Sequence, residues 1–303
     1  MPGDRPTTSE TPHRSGGLLS NPANLGIEGG RSVLYLPNFI TVCCSTPRSL
    51  PLTPTLTSGR RRTIFNSEVL VQIQESPQPK WKNLQNRRLQ IWGGEMTAKG
   101  TLCPAPFPNF VTQYPDLIAR LKATEAFEGS PHGVPNHIIM NEYEAGQGIM
   151  PHEDGPKYHP VVATLSLGTH CVFHYYRYSD DASSTTPHGA ENSGTGRSID
   201  RTPVLSLLLE PRSLVISFGD MYTAHLHGIE DTFEDHIKSP VDLGGDSDSP
   251  ANAVHIGNWD LLQDQKLKEM ITRGEPLLRS TRWSLTCRDI PKVSTNLQRL
   301  RGF

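Results

Sequence analysis

The chain has 303 residues, and its 29 basic and 31 acidic residues give a formal net charge of −2. This length allows one sizeable core, so a single domain with insertions is expected, and the balanced charge excludes an obligate need for a polyanionic partner but not a local basic patch. A hydrophobic content of 35%, with 26 Gly and 26 Pro, favours a β-rich core that carries much loop or disordered chain.

The N-terminal part has little periodicity. Residues 1–30 are rich in Gly, Pro, Ser and Thr, which predicts a disordered tail. A short strand is predicted at 33–37. Residues 41–62 fit neither a helix nor a strand and end in arginines. We interpret this insert either as a long surface loop or as an unspliced intron in the gene assignment, interrupting a helix that begins near Phe39 and resumes at 64–76.

From Asn136 onward the sequence changes to short segments rich in β-branched and aromatic residues, with turn signals between them. Polar inserts at 179–203 and 230–258 interrupt the series, and an amphipathic helix is predicted at 259–271. The fold class expected from this pattern is mainly β with flanking helices, as a sandwich or jelly-roll barrel. The predicted strands are 137–144, 161–168, 171–178, 204–211, 213–222 and 282–290.

A candidate metal site begins at His152 and Asp154. One residue separates them, so on extended chain both side chains leave the same face. They provide two ligands of a 2-His-1-carboxylate triad, which suits Fe(II) oxygenases because it leaves coordination positions open for a cosubstrate and O2. An HxD pair by itself also fits ordinary surface polarity.

The third ligand must come from another segment. His225 and His227 form an HxH pair in which both side chains could face one way, and chemistry alone does not choose between them. Further histidines lie in loops or in the tyrosine-rich strand, where structural or solvated roles are expected; these are His159, His170, His174 and His188.

A candidate cosubstrate site lies near the C-terminus. Arg282 and Arg288 share one face of a predicted strand, and a pair of guanidinium groups is suited to bind a dicarboxylate. The alternative is that both arginines pair with surface carboxylates. Asn141 and Tyr143, also spaced by two, offer an amide and a phenol. The order NxY, HxD, a distant His and RxxxxxR is much harder to reach by chance than any one part.

The cysteines indicate a reducing environment. No C-x-x-C spacing occurs among Cys43, Cys44, Cys103, Cys171 and Cys287, so free thiols typical of an intracellular protein are expected. No apolar run is long enough for a membrane span, and the polar N-terminus is unlike a signal peptide. We therefore expect a cytoplasmic or nuclear protein.

On these motifs the sequence resembles the AlkB family of Fe(II)/2-oxoglutarate-dependent dioxygenases, and within it the eukaryotic sixth-homolog branch. The resemblance runs from about Ser32 to Pro291, interrupted by the three inserts. The segments that carry it are 80–94, 141–156, 164–170, 207–216 and 226–229.

The resemblance implies one dioxygenase domain over 31–303 with a double-stranded β-helix core. It implies Fe(II) bound by His152, Asp154 and His227, because the LHGI context favours His227 over His225. O2 and 2-oxoglutarate would be the cosubstrates.

The resemblance also implies roles for the residues near 2-oxoglutarate. Arg282 would pair with its distal carboxylate, helped by Asn141 and Tyr143, and Arg288 would lie near its metal-chelating end. Ser284 stands where several relatives carry Asn, which removes one amide hydrogen bond.

The segment 88–94 resembles the start of a lid that approaches the substrate base in nucleic-acid-repairing relatives. Arg88 and Trp92 are the candidate substrate residues of this lid. Cations and aromatic residues alternate around them, as in phosphate contact and base stacking; these are Lys80, Trp81, Lys82 and Arg87. The alternative is an exposed basic loop with one packed tryptophan.

The expected reaction is oxidative hydroxylation. If the target is an N-methyl group, the hydroxylated product breaks down and releases formaldehyde. A methylated base in nucleic acid is the first substrate hypothesis, because an extruded base suits a deep pocket. A protein side-chain hydroxylase or demethylase is the alternative, and a non-catalytic metal-binding jelly roll is a third. The sequence does not predict the oligomeric state.

Overall fold

The computed structural model describes residues 23–25, 32–40, 70–75, 80–113, 116–179, 197–240 and 252–295. Its helices are α1 (Asn109–Thr112), α2 (Leu117–Lys122), α3 (Asp220–Thr223) and α4 (Gln265–Thr272), with a 3₁₀ turn at Trp259–Leu261 and helical residues at 70–74. Its strands are β1 (Ala23–Leu25), β2 (Val33–Leu36), β3 (Lys82–Asn83), β4 (Arg88–Trp92), β5 (Gly94–Met96), β6 (Thr101–Pro104), β7 (His137–Tyr143), β8 (Ile149–His152), β9 (Val161–Gly168), β10 (Cys171–Arg177), β11 (Leu205–Leu209), β12 (Leu214–Phe218), β13 (His225–Ile229), β14 (Glu234–Asp235), β15 (Leu277–Leu278), β16 (Arg282–Arg288) and β17 (Lys292–Val293).

Two antiparallel sheets form the core. The larger has the order β1-β2-β12-β9-β16-β7-β4-β3 and the smaller the order β11-β10-β13-β8. Consecutive strands from β7 onward mostly alternate between the sheets, which is the connectivity of a double-stranded β-helix. Side chains of both sheets meet in one buried cluster, with Tyr35 and Val215 from the larger sheet and Tyr175 and Leu207 from the smaller. The predicted fold class is confirmed.

The large sheet separates an apolar layer from a polar one. Successive side chains of a strand point to opposite faces, so Leu165 and Leu167 of β9 and Leu285 of β16 pack outward in one cluster. Phe110 of α1 and Leu121 of α2 belong to that same cluster. The intervening positions of the same strands carry polar residues and face the smaller sheet. Burial of the apolar side chains on the outer face stabilises this orientation of the strands, and the polar side chains are thereby kept on the opposite face.

The outer face of the small sheet is covered at one end. Val172 of β10 and Leu208 of β11 pack against Leu262 and against Ile271 of α4. Asn258 is fully buried, and its side-chain amide bonds the backbone of Leu208 in both directions, at 3.0 and 2.9 Å. The outer face of the small sheet is thereby closed to solvent at this end. The inner face of the same sheet remains available to line a cavity.

Most strand predictions are confirmed to within two residues, and three predictions need correction. The strand predicted at 213–222 ends at Phe218, because the chain turns at Gly219 into α3. The single helix predicted at 259–271 is two elements, because Leu262 is extended and Asp264 caps a new helix. The predicted tail 1–30 contains β1, which pairs with β2, because backbone pairing with an existing strand needs no apolar sequence pattern.

The inserts are only partly described. The insert at 41–62 lies outside the described residues, as do 180–196 of the second insert and 241–251 of the third. The described flanks are ordered: Tyr178 bridges Ile199, and β14 pairs with β15. The third insert is therefore not irregular throughout. Pairing with a strand distant in the sequence, which its own polar composition does not indicate, gives this insert structure.

Two further observations concern the described residues alone. No helix among them has the length and apolar character required to cross a membrane. Cys103, Cys171 and Cys287 are free thiols, as their spacing predicts, while Cys43 and Cys44 lie outside the described residues.

The Asp264 cap makes a testable contribution to stability. Its carboxylate accepts from the backbone N–H of Lys266 and Leu267 at 3.0 and 3.2 Å. Asp264→Ala is expected to lower the free energy of unfolding by about 0.5–2 kcal/mol, the usual effect of losing an N-cap. Asp260→Ala in the preceding 3₁₀ turn, which caps no helix, is the control. Equal effects in urea denaturation of the two variants would contradict the assignment.

Candidate metal and cosubstrate site

A cavity of about 240 Å³ lies between the two sheets. Its walls come from the polar face of the large sheet and from the facing strands of the small one. It is lined by Arg87, Leu89, Ile139, Asn141, Tyr143, Ile149, His152, Glu153, Asp154, Tyr158, Thr164, Phe173, His227, Ile229, Arg282, Ser284, Thr286 and Arg288.

Strand pairing brings two histidines together on one wall. His152 of β8 and His227 of β13 are directly opposite in the ladder, and their ring centroids are 4.4 Å apart. The His152 Nδ1 donates to the Met150 carbonyl at 2.8 Å, which leaves Nε2 free to bind a ligand. The His227 ring stacks on Phe173 at 5.4 Å. Both rings are thus oriented by neighbours before any ligand binds.

Asp154 completes the cluster from the loop that follows β8. Ligand atoms of His152, Asp154 and His227 all lie within 4.8 Å of one another. The Asp154 Oδ2 is buried without a hydrogen-bond partner among the described residues, whereas Oδ1 accepts from the Arg288 Nη2. Two imidazoles and a carboxylate with an unused oxygen fit a 2-His-1-carboxylate site for a divalent metal.

The charge states suit metal binding. Burial lowers the pKa of both His152 and His227, in the second case to about 4. Burial alone would raise the pKa of Asp154, but the adjoining Arg288 and His227 lower it overall. At neutral pH the cluster therefore presents neutral imidazoles and an ionised carboxylate, which are the forms that ligate a metal.

Two guanidinium groups lie on the opposite wall. Arg282 and Arg288 are 3% and 6% exposed, and their strand positions point them into the cavity, as predicted. The Arg282 Nη2 donates to the Ser166 hydroxyl at 2.8 Å. The Nε and Nη1 of both arginines are buried without a partner among the described residues. Leaving such donors unpaired is costly, so this wall is built for an anionic ligand.

The alternative, pairing of these arginines with surface carboxylates, does not occur among the described residues. Among the described residues the partner of Arg288 is Asp154, inside the cavity, and not a surface acid. Burial alone would lower the pKa of Arg288, and the Asp154 carboxylate raises it overall. Arg288 thus remains charged in the cavity.

The other predicted cosubstrate residues also reach the cavity. Asn141 and Tyr143 of β7 lie opposite Ser284 and Arg282 in the ladder, and all four line the cavity. The Asn141 Oδ1 accepts from the Arg87 Nε at 3.1 Å, so its Nδ2 group is left to donate elsewhere. Ser284, which stands where the family resemblance predicts an Asn side chain, lines the cavity with a hydroxyl in place of that amide.

The two predicted lid residues lie away from the cavity. Arg88 forms a two-pronged ion pair with Glu142 and stacks 4.0 Å over the Trp81 ring. Trp92 is buried in the outer apolar layer, in edge contact with Phe110. The reason is strand alternation: β4 turns its even-numbered residues outward. The preceding Arg87 and the intervening Leu89 face the cavity instead.

The remaining histidines serve other purposes. The His225 Nδ1 donates to the Asp220 carbonyl at 2.9 Å, so this alternative ligand fastens the junction between α3 and β13 outside the cavity. His170 lies near the Asp235 carboxylate, and His174 bonds Ser206. His159 donates its backbone N–H to Asp289. His188 lies outside the described residues.

Comparison with known proteins identifies the family. The profile of the 2OG-Fe(II) oxygenase superfamily matches residues 61–288. The chain belongs to this superfamily. The oxygenase is therefore a 2-oxoglutarate-dependent dioxygenase that uses Fe(II), 2-oxoglutarate and O2, and the donor set of the cavity fits both the metal and a dicarboxylate.

The oxygenase is placed in the AlkB family, as predicted, by a relative that it matches over most of both chains. It is 36% identical over 225 residues to a Danio rerio protein named "Probable RNA/DNA demethylase ALKBH6", covering 74% of this chain and 80% of that one. It is 28% identical over 170 residues to the Arabidopsis thaliana "Alkylated DNA repair protein ALKBH8 homolog", covering 53% and 46%. The solved structure of OsALKBH1 aligns at 13% identity with a TM-score of 0.42, over 85% of this chain and 98% of that one.

Several cavity residues of the oxygenase were missed by sequence reasoning. Thr164 faces the cavity through the same alternation that predicted Arg282, and this signal could have found it. Tyr158 lies in the loop after Asp154, with the Arg288 guanidinium 5.0 Å from its ring centroid. Phe173 reaches His227 from another strand. No sequence spacing encodes those two contacts, because they depend on how the sheets face each other.

The buried histidines predict a pH dependence of stability. Burial, reinforced by Arg288, lowers the pKa of His137 to about 4, and that of His227 is also about 4. An unfolded histidine titrates near 6.5, so below that pH the unfolded chain binds more protons than the native one. The free energy of unfolding of the metal-free oxygenase is expected to fall as pH drops from about 6.5 toward about 4, by up to about 1.4 kcal/mol per pH unit for each histidine.

His137→Phe tests the assignment, since it removes one titrating group and keeps an aromatic ring of similar size. Its unfolding free energy, measured in urea across this pH range, should fall less steeply than that of the wild type. Identical slopes for the two proteins would refute a contribution from His137.

Proposed function

We propose that this dioxygenase oxidises methyl groups on nucleic-acid bases. The observation that carries its chemistry is the His152–Asp154–His227 cluster, which faces two buried guanidinium groups with unpaired donors across one small cavity. The substrate class is supported by the names of the two relatives, an RNA/DNA demethylase and an alkylated DNA repair protein.

The metal ligands in this proposal are His152, Asp154 and His227. Three ligands on one side of a metal leave its other side open toward the cavity, where a bidentate cosubstrate and O2 can bind. Arg288 holds the Asp154 carboxylate through Oδ1 and leaves Oδ2 for the metal. Bound iron supplies the oxidising chemistry, coupled to decarboxylation of 2-oxoglutarate to succinate.

The cosubstrate residues are Arg282, Arg288, Asn141 and Tyr143. Arg288 contacts Asp154, whereas Arg282 lies at the opposite end of β16. Arg282 is therefore the partner for the distal carboxylate of 2-oxoglutarate. Its Nε and Nη1 have no partner among the described residues and are the donors left for that ligand. Arg288 then meets the metal-chelating end. Asn141, fixed by Arg87, directs its amide N–H toward the same ligand.

The mouth of the cavity supports a substrate that carries both an apolar ring and charge. Leu89 and Ile229 offer apolar walls, while Arg87 and Glu153 contribute opposite charges. Arg87 therefore takes the place of Arg88 in the proposed lid. The net charge of −2 predicts weak overall attraction to phosphates, so binding should depend on such local contacts. A cytoplasmic or nuclear location is part of this proposal.

Removal of Arg282 tests the cosubstrate site. Arg282→Met is expected to weaken 2-oxoglutarate binding about 10- to 100-fold, because a charge-assisted hydrogen bond contributes about 1.5–3 kcal/mol. Titration of the Mn(II)-loaded protein with 2-oxoglutarate under anaerobic conditions measures this affinity. Arg282→Lys keeps the positive charge but not the guanidinium group, so it separates the effect of charge from that of guanidinium geometry.

Mn(II) affinity itself should not change in Arg282→Met. A variant that retains 2-oxoglutarate affinity, or loses metal and cosubstrate together, contradicts the assigned role. Arg279→Met is unsuitable as a control, because this arginine holds Asp235 through two hydrogen bonds.

Succinate formation tests the function as a whole. Wild-type protein with Fe(II), ascorbate and air should convert 2-oxoglutarate to succinate, and Asp154→Ala should not. Methylated single-stranded DNA, methylated RNA and a protein extract are then added separately. Stimulation by a nucleic acid, weakened by salt, supports the proposal.

Stimulation by the protein extract alone would replace the proposed substrate with a protein side chain. No turnover above Asp154→Ala in any condition, from folded and iron-loaded protein, would point to a binding role without catalysis.

A further inference from the structure

The three candidate metal ligands are not held in the same way. His152 and His227 lie on paired strands, so the ladder fixes their backbones. Asp154 lies two residues beyond the end of β8, in irregular chain, and is followed by Gly155 with φ of +88°. The position of the carboxylate therefore depends on its bond from Arg288 and on what holds this loop.

Several hydrogen bonds among the described residues tie the loop to the rest of the fold. Two of them hold side chains next to the turn: Arg288 donates to the Asp154 carboxylate, and the Tyr178 hydroxyl donates to the Glu153 Oε1 at 2.7 Å. The Lys157 Nζ donates to the Ala98 carbonyl at 3.0 Å, and the His159 N–H to the Asp289 carbonyl at 2.8 Å. The Tyr222 hydroxyl donates to the Gly155 carbonyl at 3.0 Å and so holds the backbone of the residue that follows Asp154.

Tyr222 belongs to a part of the fold that is itself firmly held, so its hydroxyl can fix the position of the loop. It belongs to α3, which leads directly into β13 and hence to His227. Met221 beside it is buried in the cluster between the sheets. His225, the first residue of β13, donates to the carbonyl of Asp220 at the start of α3. The side chain of Tyr222 thus connects the element that carries one candidate ligand to the loop that carries another.

The hydroxyl is also in the correct state to donate. Burial, followed by the negative charge of Asp154, raises the pKa of Tyr222 well above its usual value. Tyr222 is not among the residues that line the cavity in the described part of the chain. Its hydrogen bond to the Gly155 carbonyl connects it to the metal site through the loop.

We propose that Tyr222 is a positioning residue for the metal centre: its hydroxyl holds the Asp154 loop so that the carboxylate remains with His152 and His227. The inference rests on the proposed metal ligands. Outer partners of this kind preorganise ligands, and their loss typically weakens metal binding by about one to two orders of magnitude.

Tyr222→Phe tests the proposal, because it deletes one oxygen and keeps the packed ring. The full-length protein is stripped of metal and titrated with Co(II), whose affinity is measured by calorimetry and whose coordination is reported by its visible absorption. The variant is expected to bind Co(II) about ten-fold more weakly than wild type, with an altered spectrum.

Tyr35→Phe is the matched control. It also deletes a tyrosine hydroxyl, one that donates to Glu210 at 2.8 Å and belongs to a residue outside the cavity lining, and it should leave Co(II) affinity unchanged. Thermal melting of both metal-free variants reports general loss of stability. Equal weakening of Co(II) binding in the two variants would assign Tyr222 a merely structural role and overturn the proposal.

Turnover supplies a second readout. Succinate formation by Tyr222→Phe should require more Fe(II) for half-maximal rate and approach the wild-type rate at saturation. A lower maximal rate with an unchanged Fe(II) requirement contradicts the proposal.

Failure of this inference differs from failure of the proposed metal centre. If wild type binds Co(II), Asp154→Ala loses it and Tyr222→Phe retains wild-type affinity, only the role of Tyr222 is refuted. If the wild type does not bind Co(II), the proposed metal centre and this inference are both refuted.

Discussion

The strict alternation of side chains along β7, β9 and β16 is the constraint on which the site depends. On one face these strands present apolar residues such as Met140, Leu165 and Leu285, which pack beneath the helices. On the other face the same strands present Asn141, Thr164, Arg282 and other polar groups. Because antiparallel pairing locks the register, burial of the apolar layer fixes the polar one. A slip of one residue would exchange the two.

The polar face is costly without its ligands. Arg282 and Arg288 are buried with donors that no described residue satisfies, and the Asp154 Oδ2 likewise lacks a partner. Such groups disfavour the folded state, so the apolar layers on both sides must offset them. An anionic cosubstrate and a divalent cation would satisfy the same atoms. The functional ligands and the stability of the fold are therefore linked.

The metal cluster combines two kinds of support. Strand pairing aligns His152 with His227, while a loop held by Tyr222 and Arg288 brings in Asp154. The loop leaves the carboxylate close to the arginine that also faces the cosubstrate. Metal site and cosubstrate site consequently share a side chain, and changes at one should be felt at the other.

The sequence by itself determined what short-range periodicity can encode. Period-two patterns predicted the strands and put Arg282 and Arg288 on one face. The HxD motif predicted His152 and Asp154, and the resemblance to the AlkB family favoured His227; the structure brings these three together. The tertiary structure alone decided the rest. It excluded His225 from the metal cluster, because that ring bonds the start of α3. It showed that Arg87 and Leu89, and not Arg88 and Trp92, line the cavity. It also brought in Phe173, Tyr158 and Tyr222. These outcomes depend on which face of a strand turns inward and on contacts between segments far apart in the chain, and no local spacing of residues records either.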